Sequence, residues 1–218
     1  MERVRFDTED GLTLEGELRR PEVAARGSAV LCHPHPRQGG SKDHPLLWAI
    51  RNDLAARGLA VLAFNFRGVM GSEGSYGGGT IELMDARAAI SRVRSDTAGP
   101  TVVAGWSFGA HVALREAIED DRVGTLALIG FPLSDSSLVL PDLPTREALR
   151  AFDRPVLLLS GEADPFCPVP DLKGLARRLG NATVQVIPGT DHFFWRHERE
   201  AARAIGEFAE RTLFDQPP

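Results

Sequence analysis

The chain is expected to be an α/β protein whose mostly parallel central sheet carries helices on both faces and begins with an antiparallel hairpin. Three observations carry this. Short continuous apolar runs alternate with helical periods from residue 28 to the end, two segments of alternating polarity precede them, and no linker, repeat or change of composition divides the chain. At 218 residues the chain has the size of one α/β domain and can bury about three quarters of its unfolded surface. A single domain spanning 1–218 is therefore expected.

The elements follow in order. Val4 to Phe6 and Leu12 to Leu18 alternate apolar and polar residues around the turn signal Asp10-Gly11, as a half-exposed hairpin does. Ala29 to Cys32, Leu59 to Phe64, Thr101 to Trp106, Val123 to Ile129, Pro155 to Ser160 and Thr183 to Ile187 are short runs rich in Val, Leu and Ile, the pattern of strands covered on both faces. Helical periods lie between them, at about 43–57, 80–94, 108–118, 145–151, 170–179 and 197–213. The last places Ala201, Ile205, Phe208 and Leu213 in one apolar stripe, which must pack on another element. Phe131 to Pro144 is the least regular stretch; it suits a short flap and is too brief for a separate lid domain.

Charge and composition exclude several functions. With a net charge of −5 and a pI near 5.7 the chain has no basic field for a phosphate backbone, so nucleic acid is not an expected partner. Charges in Met1 to Asp7 stand where a signal peptide needs an apolar stretch, and no run approaches the roughly 18 apolar residues of a membrane span. The expected location is the cytoplasm, without a membrane partner; a homodimer is compatible with the sequence. Cys32 and Cys167 are too few for a disulfide framework or a zinc site, and two free thiols are expected.

The chemistry centres on Gly105-Trp106-Ser107-Phe108-Gly109, which joins the apolar run ending at Trp106 to the helical stretch from Ala110. A serine in a sharp strand-to-helix turn is lifted clear of the sheet, and the helix N-terminus favours developing negative charge. Serine needs a base to take its proton and a carboxylate to orient that base. Of the two histidines well beyond Ser107, His192 follows an apolar run at a strand's carboxyl end, while His197 starts the final helix in solvent. His192 is the expected base. Asp164, directly after the run ending at Ser160, ranks first as the acid, with Glu162 and Asp135 behind it; Asp191 is expected to shape its turn.

An acyl-transfer site also needs amide donors for the oxyanion. Phe108 supplies one by position. The second is expected in His33-Pro34-His35-Pro36, where the prolines lack N–H and His35 provides the amide between them. The H-x-H spacing raises the question of a metal, but no Asp, Glu or Cys cluster accompanies it, and neither metal nor cofactor is expected. Arg67 is expected to tie loops together, and Gly71 to Gly79, without a Walker lysine, to form a mobile rim. Trp106, Phe193, Phe194 and Trp195 divide between an apolar acyl pocket and the core.

Together, His33-Pro34-His35-Pro36 with Gly39-Gly40, Asn65-Phe66-Arg67-Gly68-Val69, the serine pentapeptide, Gly161-Glu162-Ala163-Asp164 and Asp191-His192-Phe193-Phe194 resemble the short, lidless α/β-hydrolases near dienelactone hydrolases. The match spans about residues 28–195. The resemblance implies the α/β-hydrolase fold, a Ser107, Asp164, His192 triad and an esterase-like activity on a small acyl substrate. Dienelactone hydrolases proper carry cysteine at the nucleophile position, where this chain has Ser107. The competing readings are a peptidase or thioesterase with the same residues, or a binding protein that keeps the fold without catalysis.

Overall fold

The computed structural model describes residues 1–133 and 140–214. Its eight strands are β1 (Glu2–Asp7), β2 (Thr13–Arg19), β3 (Gly27–Cys32), β4 (Leu59–Phe64), β5 (Thr101–Trp106), β6 (Val123–Ile129), β7 (Val156–Gly161) and β8 (Ala182–Ile187). They form one sheet in the order β1-β2-β4-β3-β5-β6-β7-β8, antiparallel at β1–β2 and β2–β4 and parallel elsewhere. The fold class expected from the sequence is the one observed.

Among the described residues six α-helices flank the sheet: α1 (Pro45–Ala56), α2 (Glu82–Arg94), α3 (Phe108–Glu119), α4 (Arg146–Ala151), α5 (Val169–Ala176) and α6 (Glu198–Leu213). The core is accordingly double. On one face Val30, Leu62, Val103 and Leu128 meet Ile90 of α2 and Val112 of α3. On the other Leu31, Val61, Ala104 and Leu157 meet Ile50 and Leu54 of α1 and Ile205 and Phe208 of α6. The hairpin is held by Val4, Phe6, Leu14 and Leu18, all buried; each such side chain contributes about 1.5–3 kcal/mol on burial.

Two differences from the sequence reading have physical causes. β8 is an edge strand, and only Ile187 of it is buried, so it is not covered on both faces as expected. Thr183 and Gln185 sit on its open side. The glycine-rich stretch expected as a mobile rim is tied down: the amides of Gly77 and Gly79 each donate to the Glu82 carboxylate at 2.7 Å, and Gly71 N–H donates to Glu15. The irregular stretch after β6 is described only at its ends. Leu133 N–H donates to the Phe166 carbonyl, and Pro141 packs on Gly79; the rest of the expected flap, 134–139, lies outside the described residues.

Strand order reverses at β3, whose connection leads to β4 on one side while β5 joins the other. In open α/β sheets this switch point leaves a crevice at the strands' carboxyl ends, where ligands bind. The residues after β3 and after β5 meet there. Both cysteines are free and buried, and among the described residues no helix is long and apolar enough to cross a membrane.

Candidate active site

Ser107 sits between β5 and α3 with φ 57° and ψ −119°, a left-handed conformation that is uncommon for a residue with a Cβ. The turn closes because glycine stands on both sides. A Cβ on Gly105 would lie 2.1 Å from the Gly109 carbonyl oxygen, and one on Gly109 would lie 2.3 Å from that of Cys32 and 2.5 Å from that of His33. The serine pentapeptide thus reflects two backbone contacts that no side chain can share. Ser107 N–H continues the ladder by donating to the Ile129 carbonyl at 2.9 Å.

His192 lies in the loop after β8 and Asp164 in the loop after β7, both buried. They meet through His192 Nδ1 and Asp164 Oδ2 at 2.8 Å. Asp164 Oδ1 accepts from the amides of Phe166 at 2.9 Å and Cys167 at 3.1 Å, which fixes the carboxylate. The bond to Asp164 makes Nδ1 the protonated nitrogen and leaves Nε2 as the basic one. Two glycines make room for the pair: a Cβ on Gly130 would reach 3.0 Å from His192 Nδ1, and one on Gly161 would strike the carbonyls of Thr190 and Asp191 at 2.5 Å. Trp106 Nε1 donates to the His192 carbonyl at 3.1 Å, anchoring the loop from below.

Ser107 and His192 line one pocket of about 120 Å³, with His35, His44, Phe166 and Phe193. Among the described residues no hydrogen bond joins Ser107 to His192; such bonds are commonly long in ligand-free sites. A roomier hollow of about 770 Å³ lies against the hairpin. There Lys42 is committed to Asp43 at 2.8 Å and Glu17 at 3.5 Å, and no nucleophile is paired with a base.

The loop after β3 owes its shape to its histidines. His33 Nδ1 bonds the Pro34 carbonyl at 2.6 Å while Nε2 accepts from the Phe66 amide at 3.0 Å. Both ring nitrogens are thereby used, and burial pushes the imidazole down to about 4. His35 Nδ1 accepts from the Arg37 amide at 3.1 Å, and its Nε2 contacts Tyr76 Oη at 3.1 Å. Gly40 folds back so closely that a Cβ would lie 2.1 Å from the Pro34 carbonyl oxygen.

An α/β-hydrolase domain model matches residues 28–211. The chain belongs to the α/β-hydrolase family. An uncharacterized protein of Rickettsia prowazekii is 28% identical over 95% of this chain and 88% of its own length. The crystal structure of XC6422 from Xanthomonas campestris, described as an α/β serine hydrolase without a lid, superposes with a TM-score of 0.82 at 28% identity, covering 99% of this chain and 96% of that one. The Pyrococcus furiosus esterase Pf2001 has a TM-score of 0.81 at 20% identity, covering 97% of this chain and 92% of its own, a likeness of fold. This α/β-hydrolase is of the short, lidless kind that the sequence resembles.

Within the hydrolase the remaining expected residues fall as follows. Glu162 is exposed and its carboxylate accepts from the Gly189 amide at 3.1 Å, so it supports the loop after β8 and not His192. Asp135 lies outside the described residues. Asp191 shapes its turn by accepting from the Phe193 amide at 2.9 Å. Arg67 is buried and structural: its guanidinium holds Asp85 at 2.7 Å and Asp10 at 2.8 Å. Trp106, though buried, lines the Ser107 pocket together with the exposed Phe193, Phe194 is core, and Trp195 is exposed. His197 contacts the Trp195 carbonyl at 3.1 Å at the head of α6.

Two pocket residues carried no site role in the sequence reading. His44 caps α1, its Nδ1 accepting from the Leu46 amide at 3.2 Å, and its ring lies against Trp106. The signal was present as His44-Pro45, a cap followed by proline at the first helical position. Phe166, two residues after Asp164, meets the His192 ring edge to face at 4.9 Å, and nothing in its own type marks it.

Proposed function

We propose that the chain is a serine esterase acting on short acyl groups, with Ser107 as nucleophile, His192 as base and Asp164 as the group that orients it. The observation that carries the reading is the 2.8 Å bond between His192 Nδ1 and Asp164 Oδ2 in a pocket shared with a serine of strained backbone. The esterase among the structures of like fold agrees with it. A pocket of about 120 Å³ is small beside the several hundred Å³ of most ligand sites, which favours a short acyl group.

In the proposed reaction His192 Nε2 takes the Ser107 hydroxyl proton as Oγ bonds to the acyl carbon. The carbonyl electrons move to oxygen, and the oxyanion is held by the amides of Phe108 and His35. Phe108 opens α3, and the first amides of a helix have no partner within it. The acyl–oxygen bond then breaks, and the alcohol leaves with the proton from the imidazolium. Water repeats the steps on the acyl-enzyme, releasing the acid and restoring Ser107. Asp164 holds the imidazole in the tautomer with Nε2 free.

The test pairs labelling with turnover. Wild-type protein is expected to react with a fluorophosphonate at Ser107 and to hydrolyse short-chain aryl esters, and Ser107→Ala to lose both. Asp164→Asn is expected to lower kcat by roughly 10³–10⁴, because the amide favours the wrong tautomer. Persistent labelling of Ser107→Ala would remove Ser107 from the reaction.

A further inference from the structure

α1 and α6 lie side by side on one face of the sheet and run in the same direction. Trp48 and Asn52 of α1 share a groove of about 470 Å³ with Arg199, Ala202 and Arg203 of α6, and Arg19 at the end of β2 lines it too. Further along, the Gly206 backbone meets Asp53 and Arg57, and Arg57 reaches Glu210. At the head of the groove the imidazole of His44, a wall of the Ser107 pocket, packs against Trp195 with ring centroids 5.6 Å apart. His44, Trp48 and Asn52 are spaced by four, so they succeed one another along one stripe of α1 over about 12 Å. The Ser107 pocket and the groove are thus neighbours along a single helix edge.

The lining of the groove is unusual for this chain. Among the described residues, Arg19, Arg199 and Arg203 form no ion pair, although the protein carries a net charge of −5. Asp53, the acidic side chain in the groove, is held by Arg57 at 2.7 Å. Trp48 is 55% exposed. Among the described residues, both polar atoms of the Asn52 amide are buried without a hydrogen-bond partner, so a donor and an acceptor stand unused at the groove wall. Three guanidinium groups and an indole face suit an anion on an apolar stem.

We infer that this groove is a second substrate subsite, which binds a phosphate or carboxylate at the far end of the leaving group of an ester whose short acyl part occupies the Ser107 pocket. The inference rests on the esterase reading for the word substrate. The small pocket takes the acyl group; the alcohol portion runs past His44 and Trp195 and along Trp48 to the arginines.

The experiment compares ω-acetoxyoctyl phosphate with octyl acetate, in wild type and in the Arg199→Gln, Arg203→Gln double variant. Wild type is expected to favour the phosphate ester by about tenfold in kcat/KM at low salt, mainly through KM. The double variant and added salt are each expected to shrink that ratio toward one. A ratio near one in wild type, or one unchanged by the double variant, overturns the subsite. Calorimetric titration with octyl phosphate separates the two readings. Binding that weakens about tenfold in the double variant, in a protein whose Ser107 neither labels nor turns over esters, keeps the anion site and removes the esterase; absence of binding removes the subsite whatever the esterase does.

Discussion

Ser107 holds a backbone conformation that costs of order 1–3 kcal/mol and survives because its surroundings leave it no other. Its amide is bound to Ile129, its carbonyl accepts from the Ala110 amide at 2.9 Å, and Gly109 lets α3 approach the end of β3. Gly109→Ala tests this constraint. The added methyl would meet the carbonyl oxygens of Cys32 and His33 at 2.3 and 2.5 Å, and backbone atoms cannot swing aside as a side chain can. α3 must then move off the sheet and carry the Phe108 amide with it. The expected result is a loss of about 1–3 kcal/mol, read as a lower Tm, with at least tenfold slower fluorophosphonate labelling. Gly174→Ala is the control with opposite sign: in α5 the nearest atom to a new Cβ is the Arg177 side chain at 3.8 Å. Alanine there gains helix propensity of up to about 1 kcal/mol. Equal Tm shifts in the two variants would contradict the packing argument.

Among the elements, the most exacting junction is the one around Arg67. Its guanidinium and amide both bond Asp85 of α2, which is fully buried, while a second face of the guanidinium reaches Asp10 in the β1–β2 turn. One side chain therefore clamps the hairpin, α2 and the loop after β4. Removing it strands a buried carboxylate, and Arg67→Ala is expected to cost about 3–5 kcal/mol, measured as a lower urea midpoint. Arg67→Lys is expected to recover little, since one ammonium cannot replace the fork. Arg67→Met with Asp85→Leu is expected to recover most of the loss, because no buried charge is then left alone. A double variant as unstable as Arg67→Ala would contradict this account. The element scale is also where the sequence is most legible. Runs such as Leu59 to Phe64 and periods such as 80–94 announce a strand or a helix through local pattern alone. Position within the sheet is a longer-range property: β8 resembles its neighbours in Val184 and Val186, and only Thr183 and Gln185 hint that one side stays open.

At the scale of the whole molecule, the candidate site was legible where topology orders it. Ser107, Asp164 and His192 each follow an apolar run at a carboxyl end, and one sheet brings all such ends together. What local order does not encode is the meeting of distant segments, such as Phe166 against His192 or the groove that Arg19 and Arg203 both line. The buried histidines belong to the same class, and they set how stability depends on pH. Burial pushes His33 and His111 down to about 4; His33 Nε2 accepts from an amide, and His111 Nε2 bonds the Pro132 carbonyl at 2.9 Å. In the unfolded chain a histidine titrates near 6.5. Between about 6.5 and 4 the unfolded chain therefore binds protons that the folded one refuses. This contribution is complete above about pH 6.5 and falls away on acidification, by up to about 3 kcal/mol for each histidine. Glu116 acts in the opposite sense, since burial raises it from 4.5 to about 7 and the folded chain keeps a proton the unfolded one has lost. Burial raises Asp85 as it does Glu116 and lowers His44 as it does the other two histidines; three histidines outweigh two carboxyls, so the urea midpoint is expected to drop from about pH 7 to about pH 4.5. His111→Gln, which keeps an N–H for the Pro132 carbonyl, should flatten that drop. Denaturation curves of wild type and His111→Gln that fall in parallel across this range would show that His111 does not titrate on unfolding.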